Sequence, residues 1–375
     1  MNSEKTFIDK MPNRRRFLGA MSAMTAGVTG LTGCSSTVKI SQMSNQVGRR
    51  PINKPEKSRV EFRTGRDRFE IISNALNPLQ SQVAEDIGDK QVIVKVNSPL
   101  ITMDYVKHST HVDELRAILE FLKPIYDRQI IVSEGTASSA SSVFPSYENY
   151  GYLPLADQYN IKFVDANEQP TQVVFIRQAR QYPVPINVNY PYMDPNVYLI
   201  SAAVMKTHGA VVGTFSLKNV AMGSPQCRFW EKSNSNRSDK PKMHGGGGLP
   251  ENNSGRELSY NMFTVALAGV RPDLAVVDGF EGIEGNGPWN GDVVDHKVAV
   301  VSTDFLAADR LCTELMGIDP FYMKYLEFCS DAGMGNFDLE NIVIDGPDYR
   351  NNIIKYRLNK NVEGQIAWID RNFER

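Results

Sequence analysis

The sequence lacks the cysteine pattern of an iron–sulfur protein. Its 375 residues include four cysteines, and no two of them form a Cys-x-x-Cys pair. Because such clusters are held by closely spaced thiolates, this spacing argues against an iron–sulfur cluster bound by this chain alone. Outside the leader described below, Cys227, Cys312 and Cys329 would allow one disulfide in an oxidising compartment. We expect Cys312 in the core because its helical stretch is apolar, and Cys227 to be the more reactive thiol because its surroundings are polar.

Several familiar catalytic and binding motifs are also missing. The sequence has no Gly-x-Ser-x-Gly elbow, no His-Glu-x-x-His, no Gly-Lys-Ser/Thr phosphate loop and no Gly-x-Gly-x-x-Gly after a first strand. These absences argue against a common serine hydrolase, a zinc protease, an ordinary nucleotidase and a standard dinucleotide enzyme. The net charge of −2 lacks the basic excess of nucleic-acid-binding proteins, so we expect no nucleic-acid partner.

The first 34 residues have the order of a processed export signal. Residues 13–19 (NRRRFLG) resemble a twin-arginine signal, residues 20–31 are apolar and rich in small side chains, and residues 31–34 (LTGC) resemble a lipoprotein cleavage box. A transmembrane anchor is the alternative, but the apolar run is too short and too rich in Gly, Thr and Ser to span a bilayer well. We therefore expect the twin-arginine machinery to export the chain, with cleavage before Cys34 and lipidation of Cys34 as its membrane anchor.

The leader also predicts the location and organisation of the chain. Export would place the protein in the periplasm or cell envelope, and Ser35 after the cysteine favours the outer membrane in a double-membraned bacterium. We predict a signal peptide over residues 1–33, a flexible tether over 34–60 and a single α/β domain over 61–375. The processed chain of 342 residues would carry 36 basic and 41 acidic side chains, a net charge of −5.

Strand-like and helix-like segments alternate along the folded part. This alternation predicts an α/β fold with a mostly parallel sheet, helices on both faces and a long irregular insertion over residues 224–255, either a lid or a surface excursion. The predicted strands cover residues 91–96, 129–133, 161–164, 173–176, 197–204, 274–277, 297–302 and 341–344. The predicted helices cover residues 112–122, 146–159, 258–269 and 304–316, with Asp304 as the N-cap of the last.

Polar residues follow the ends of the first two predicted strands, where open parallel sheets bind ligands. Lys95 and Asn97 lie at the end of the first strand, and Glu134 and Gly135 follow the second. Glycine and small hydroxyl residues at a strand-to-helix turn can present backbone N–H groups to an anion, although the same residues form ordinary turns.

A second group of polar residues follows the strand predicted over 197–204. Lys206, His208, Lys218 and Asn219 lie close together in the sequence there, and lysine is rarely buried without a partner. This group predicts a site for a carboxylate or phosphate, with Lys206, His208 or Lys218 as the proton-transfer or nucleophilic residue. The alternative is structural: one lysine pairs with a nearby carboxylate, and His208 bonds to a backbone carbonyl.

A glycine-rich acidic segment, residues 278–288, follows the strand predicted over 274–277. Its three carboxylates are Asp278, Glu281 and Glu284. They are candidate ligands of a divalent metal such as magnesium, or of zinc or another transition metal together with His208 or His244. They could instead act as an acid and a base. The alternative is a tight loop whose acidic residues cap helices and pair with Lys206 and Lys218. In the next predicted helix, Asp309 lies between apolar positions and needs a partner if it is buried.

These segments together resemble a known family, the domain of unknown function 362. The resemblance covers roughly residues 90–345 and is carried by residues 94–97, 134–135, 206–208, 217–219, Gly223, His244, 277–279, 287–288, Asp304, Ala307, Asp309 and 316–320. It implies an α/β fold. Some members carry ferredoxin-type cysteine clusters and some carry twin-arginine leaders; this chain has the leader and lacks the clusters, and the family does not supply a reaction.

Our first hypothesis is an exported enzyme, or cofactor-dependent protein, that acts on an anionic small molecule. Its cationic side would hold the anion and its acidic side a divalent metal, the one cofactor that the residues suggest. Besides the residues proposed above for proton transfer and for the metal, the predicted ligand-binding residues are Lys95, Asn97, Glu134, Gly135, Asn219, His244 and Gly287. The alternatives are a non-catalytic module that binds a ligand or partner, and a redox accessory protein.

Overall fold

The computed structural model describes residues 50–52, 54–137, 142–178, 182–227, 238–245 and 254–369. All of them belong to one contact unit, Ser41–Arg375. The predicted leader and Cys34 lie outside the described residues, as does most of the predicted insertion. No helix in the described ranges has the length and apolar character needed to cross a membrane.

The strands and helices of the described residues alternate along most of the chain. The strands are β1 Ser58–Thr64, β2 Gln91–Lys95, β3 Ile130–Glu134, β4 Ile161–Asp165, β5 Thr171–Arg177, β6 Pro183–Asn189, β7 Val197–His208, β8 Val212–Thr214, β9 Leu274–Asn286, β10 Asn290–Ser302 and β11 Ile342–Asp345. The helices are α1 Arg68–Leu76, α2 Gln80–Ile87, α3 Val112–Leu122, α4 Phe144–Asn149, α5 Ser216–Gly223, α6 Ser254–Leu267, α7 Phe305–Leu315, α8 Lys324–Asp331 and α9 Val362–Ile366.

A nine-stranded mixed sheet organises the described residues, in the order β11-β1-β10-β9-β7-β2-β3-β4, with β8 paired to β7. The run β9-β7-β2-β3-β4 is parallel throughout, and β10 pairs antiparallel with its two neighbours. Val92, Val94 and Val96 pack into a core cluster with residues of α3, whereas α5 and α7 pack against β7 and β10. The predicted α/β fold with a mostly parallel sheet is confirmed.

The folded part begins earlier than the predicted boundary at residue 61. Arg50 and Ile52 are buried, and the Arg50 guanidinium forms an ion pair with Asp273. The strand β1 begins at Ser58 and pairs with both β10 and β11. This strand could not be predicted from the sequence because it contains several charged residues. In the sheet they neutralise one another, since the buried Glu61 carboxylate pairs with two arginines.

The central strands β7, β9 and β10 are longer than predicted. The strand β7 continues through Lys206 to His208 because β8 folds back and pairs with it. The acidic segment expected to form a turn is instead part of β9, which pairs with β10 as far as Asn286 and Asn290.

The helix predicted over residues 146–159 is shorter in the structure. The helix α4 ends at Asn149, and Gly151 adopts a φ of 79° before the next 3-10 turn.

The cysteines do not behave as the sequence suggested. All three described cysteines are free and fully buried, so no disulfide joins them. Cys312 lies in the core, as expected. The expectation of a reactive Cys227 is wrong, because burial raises the pKa of its thiol and so disfavours the reactive thiolate.

Candidate functional site

The carboxyl ends of β3, β2 and β7 meet where the order of the sheet reverses. The strand β2 pairs in parallel with β3 on one side and with β7 on the other. The connection after β2 runs towards β3, whereas the connection after β7 runs towards β9 on the opposite side. Open α/β sheets bind ligands beyond the strand ends at such a switch point. Lys95 ends β2, Glu134 ends β3, and Lys206 and His208 lie in the last three residues of β7.

A cavity of about 160 Å³ lies at this switch point. Eight of the predicted site residues line it: Lys95, Asn97, Glu134, Lys206, His208, Lys218, Asn219 and His244. Lys240, Met222, Pro288 and Trp289 form other parts of the wall. We call this space the anion cavity, because four lysines and one glutamate are the charged groups among its described lining residues.

A chain of hydrogen bonds crosses the floor of the anion cavity. Lys95 Nζ lies 2.8 Å from Glu134 Oε1 and donates to Asn219 Oδ1 at 3.1 Å. Asn97 Nδ2 donates to the same Asn219 oxygen at 3.2 Å, and Asn97 Oδ1 accepts from Lys206 Nζ at 2.6 Å. The Asn219 Nδ2 group also donates to carbonyl oxygens of β2 and β7. Asn219 therefore fixes the two strand ends and the side chains around it.

Lys206 is held in place by hydrogen bonds, and its amine titrates near neutral pH. Its Nζ donates to Asn97 Oδ1 and, at 2.7 Å, to the carbonyl oxygen of His108, and it lies 5.2 Å from the ring centre of Trp289. Burial, reinforced by the nearby Lys218 ammonium, lowers the pKa of Lys206 to about 7. An amine with such a pKa can accept or donate a proton near neutral pH.

Lys218 has no counterion among the described residues. Its side chain is 8% exposed, and among the described residues no carboxylate or other acceptor pairs with its ammonium. Burial lowers the pKa of Lys218 to about 7, and the charge of Lys240 acts in the same direction. The one glutamate in the described wall is already engaged by Lys95. The cavity therefore carries a positive charge that its own described residues leave uncompensated.

Asp309 positions the helix that carries Lys218. The backbone and hydroxyl groups of Ser216 donate to Asp309 Oδ1 at 2.9 and 2.6 Å, and the Leu217 amide donates to Oδ2 at 3.0 Å. Burial raises the pKa of Asp309 to about 7, although these hydrogen bonds favour the carboxylate. The partner that the sequence required for a buried Asp309 is thus the N-terminus of α5.

His208 acts as a neutral hydrogen-bond donor. Its Nδ1 accepts from the backbone amides of Ala210 and Val211 at 3.0 and 3.4 Å, which leaves the proton on Nε2. Burial and the Lys218 charge lower the pKa of His208 well below its ordinary value. The lone pair that a general base would need is therefore occupied by the backbone. His244 is also neutral, because burial lowers its pKa to about 4.

Glycines allow the cavity walls to approach one another. A Cβ atom at Gly287 would lie 2.3 Å from the carbonyl oxygen of Thr207, and one at Gly223 would lie 2.3 Å from Lys95 Cε. The Gly135 amide donates to Glu134 Oε1 at 2.8 Å. Gly135 and Gly287 thus do not line the cavity themselves, but they contact residues in or next to its lining.

Residues 92–314 match the family described as Domain of unknown function (DUF362), and they include every cavity residue named above. The chain belongs to this family. The thylakoid-associated protein sll1697 of Synechocystis sp. is 27% identical over 176 residues, which are 46% of this chain and 47% of that protein. The chain thus matches about half of the length of this curated relative.

One solved structure is similar to part of this chain. It is the lactate racemase apoprotein of Thermoanaerobacterium thermosaccharolyticum, with a TM-score of 0.41 and 12% sequence identity. The alignment covers 72% of this chain and 62% of that chain.

In this DUF362 protein the three acidic residues predicted to bind a metal do not converge. Asp278 and Glu281 lie in a separate pocket of about 150 Å³, where both pair with Arg68 at 2.9 Å. Glu284 pairs with Arg357 at an exposed edge of the sheet. Within the described ranges, no three His, Cys, Asp or Glu side chains are placed to hold a metal ion. The structure therefore does not form the metal site that the sequence suggested.

Sequence reasoning missed several residues of the cavity wall. Trp289 follows the noted Gly287–Pro288 pair directly, and the 3-10 helix Met103–His108 supplies the His108 carbonyl that holds Lys206. His108 Nδ1 also bonds to the carbonyl oxygen of Pro288 at 2.8 Å. No local pattern identified His108, because its partners lie about a hundred residues or more away in the chain.

Proposed function

We propose that the anion cavity binds a small carboxylate or phosphate and that Lys206 exchanges a proton with the bound molecule. The observation that carries this proposal is the buried Lys218 ammonium, for which the described residues offer no counterion. Burying a charge without a partner is costly, so a protein retains such a group where a ligand supplies the missing charge. In the bound state Lys218 would supply charge, His208 would donate a hydrogen bond from Nε2, and Lys206 would move the proton.

The size of the cavity supports a small ligand. A dry cavity of about 150 Å³ in another protein holds benzene, so a cavity of this size accommodates roughly six non-hydrogen atoms. Lys240 at the wall adds positive charge, which attracts anions from solution.

The first experiment is a thermal-shift screen of phosphate, sulfate and short carboxylates, each tested beside its neutral amide where one exists. We expect carboxylates to raise the Tm and their amides to leave it unchanged. Quenching of Trp289 fluorescence should follow the same order and disappear in Trp289→Phe. Equal stabilisation by acids and amides would contradict an anion site. Deuterium exchange into the bound acid, followed by NMR, then separates an enzyme from a binding module.

Anion affinity should depend on pH, because Lys206 and Lys218 have a pKa of about 7 in the empty protein. A bound anion favours their protonated forms, so binding above pH 7 takes up protons. We expect the Kd to rise by up to about tenfold per pH unit for each lysine between pH 7 and 9. Calorimetry in buffers of different ionisation enthalpy measures this uptake directly. A Kd that stays constant over this range would contradict the assignment.

We further propose that the protein is exported and lipid-anchored through Cys34, on the support of the leader sequence alone. Substituting Cys34→Ala should abolish incorporation of labelled palmitate and release the protein from the membrane fraction. The pair Arg14→Lys and Arg15→Lys should instead leave the precursor in the cytoplasm. Normal membrane association of the Cys34→Ala protein would contradict the anchor.

A further inference from the structure

A second, larger cavity lies at the other edge of the sheet from the anion cavity. Its volume is about 510 Å³, more than three times that of the anion cavity. Val197 and Tyr198, which begin β7, line it together with Asp273, which directly precedes β9. Because β7 and β9 pair in parallel, this edge carries the amino ends of the central strands. We call this space the basal pocket, and the proposed function does not use it.

The hydroxyl group of Tyr198 is buried at the wall of the basal pocket and has no hydrogen-bond partner among the described residues. The whole residue is 1% exposed. Buried tyrosine hydroxyls usually have a partner, so an unpaired one indicates a group that the protein itself does not supply. Three charged side chains act on this hydroxyl, and all three line the basal pocket: Asp273, Asp86 and Arg50. The hydroxyl therefore lies on the pocket side of the ring.

Lys90 holds an ammonium group next to Tyr198. Its Nζ lies 5.9 Å from the centre of the Tyr198 ring and donates to the carbonyl oxygen of Asp86 at 2.7 Å. This bond uses one of the three ammonium protons, and no carboxylate of the described residues pairs with the other two. Lys57, which is exposed, also lines the pocket and has no ion pair in the described ranges. Two lysines of the wall thus remain free to bind an anion.

Most other charged groups of the wall are already paired. Arg50 forms an ion pair with Asp273, and Arg59 pairs with carboxylates outside the pocket. Arg271 donates to three backbone carbonyl oxygens, and Asp304 accepts from backbone amides at the start of α7. The carboxylate near the end of α2 is the one remaining acid in the described wall. The two lysines therefore leave an excess of positive charge.

We infer that the basal pocket binds a phosphate ester of a small organic molecule, held by the Tyr198 hydroxyl and the Lys90 ammonium. The phosphate oxygens supply the acceptor that the hydroxyl lacks and the negative charge that the lysines lack. The site lies at the opposite end of β7 from Lys206, so it goes beyond the proposed function and does not depend on it.

The rest of the wall fits the organic part of such an ester. It is largely apolar and is formed by Pro51, Pro55, Pro195, Pro272, Phe305 and Met334. Since a cavity of about 150 Å³ in another protein holds benzene, the basal pocket accommodates roughly twenty non-hydrogen atoms. Inorganic phosphate alone would fill only a small part of this space and leave the apolar surface uncovered.

Calorimetric titration of the protein with phenyl phosphate and with phenol tests the site. We expect phenyl phosphate to bind and phenol to bind at least tenfold more weakly, because the lysines and the hydroxyl hold the phosphate. Tyr198→Phe should weaken the binding of phenyl phosphate by about tenfold or more, since a hydrogen bond to a charged group is lost. The same change should leave the Tm of the empty protein unchanged or raise it, because the hydroxyl has no partner to lose.

Lys90→Met should weaken the binding of phenyl phosphate by a similar factor. Its matched control is Lys123→Met, because the Lys123 ammonium also lies 5.9 Å from the centre of a tyrosine ring but outside the pocket. Lys218→Met should bind phenyl phosphate normally, which separates the basal pocket from the anion cavity. In the unmodified protein, bound phenyl phosphate should protect Lys90 from acetylation and leave Lys123 unprotected, as measured by mass spectrometry. This last result does not depend on the folding of any variant.

Glycerol 3-phosphate and vesicles that contain phosphatidic acid, titrated in the same way, distinguish a soluble ester from a lipid headgroup, and binding of either supports the inference. Absence of binding by all three phosphates would overturn it. Equal binding of phenol, normal binding in Tyr198→Phe, or loss of binding in Lys218→Met would overturn it as well. A lower Tm of the empty Tyr198→Phe protein would show that the hydroxyl has a structural partner, and would count against the site in the same way.

Discussion

Replacing Lys218 by methionine should strongly weaken anion binding and also stabilise the empty protein. Removing the unpaired charge should weaken the binding of a carboxylate by roughly 100-fold or more, because a buried ion pair with the ligand is lost. The same change removes a buried amine whose pKa in the folded protein, about 7, lies below the ordinary 10.5. We therefore expect the free energy of unfolding at pH 7 to rise by about 2 kcal/mol or more.

The size of this stability change depends on pH. Between pH 7 and 10.5 the unfolded chain holds the Lys218 proton and the folded chain does not, so the stability of the natural protein increases with pH in this range. The advantage of Lys218→Met should accordingly be largest at or below pH 7 and fade towards pH 10. Urea denaturation at pH 6, 8 and 10 measures it, with the exposed Lys162→Met as the matched control. A Lys218→Met protein that binds anions normally, or is destabilised like an ordinary core variant, would refute the role assigned to Lys218.

Replacing Lys95 by methionine should have the opposite effect on stability. Lys95 and Glu134 are each 1% exposed and lie 2.8 Å apart, so the substitution leaves a buried carboxylate without its cation. Breaking one side of a buried ion pair costs about 3–5 kcal/mol. Denaturation at pH 7 should show this loss, together with loss of anion binding because Lys95 no longer holds Asn219.

A double-mutant cycle separates the charge effect from a packing defect. Adding Glu134→Gln to Lys95→Met removes the stranded charge, so most of the lost stability should return. Arg116→Met, which breaks an exposed ion pair with Asp113, should cost less than about 0.5 kcal/mol. A loss below about 1 kcal/mol for Lys95→Met, or no recovery in the double variant, would show that the pair is not a strong structural contact.

The position of the anion cavity could be predicted from the sequence because two local signals coincide. The apolar runs over 91–96 and 197–204 identify buried strands, and parallel strands place their carboxyl ends at one edge of the sheet. Lys95 and Lys206 could therefore be expected at the same edge of the sheet, and the pairing of β2 with β7 brings them together. Which cation stays unpaired could not be predicted, since the Lys95–Glu134 contact depends on how β2 and β3 are aligned.

The acidic segment misled the sequence interpretation for a geometric reason. Asp278 and Glu281 do approach each other, but the Arg68 guanidinium lies between their carboxylates at 2.9 Å from each and takes the place that a metal ion would need. Their counterion Arg68 lies about two hundred residues earlier in the chain, in a helix that the sequence analysis did not predict. Local patterns carry no information on such long-range ion pairs.

The contact between Asp309 and the start of α5 has a consequence for synthesis. The helix that presents Lys218 is fixed by a residue 93 positions later than Ser216, in a helix that follows the last central hairpin. Before α7 has emerged from the ribosome, the nascent chain already contains every lysine of the cavity. It still lacks Asp309, which anchors the helix that carries Lys218. Ligand-binding competence should thus arise late in translation and all at once, and a stalled chain that ends before residue 309 would be inert.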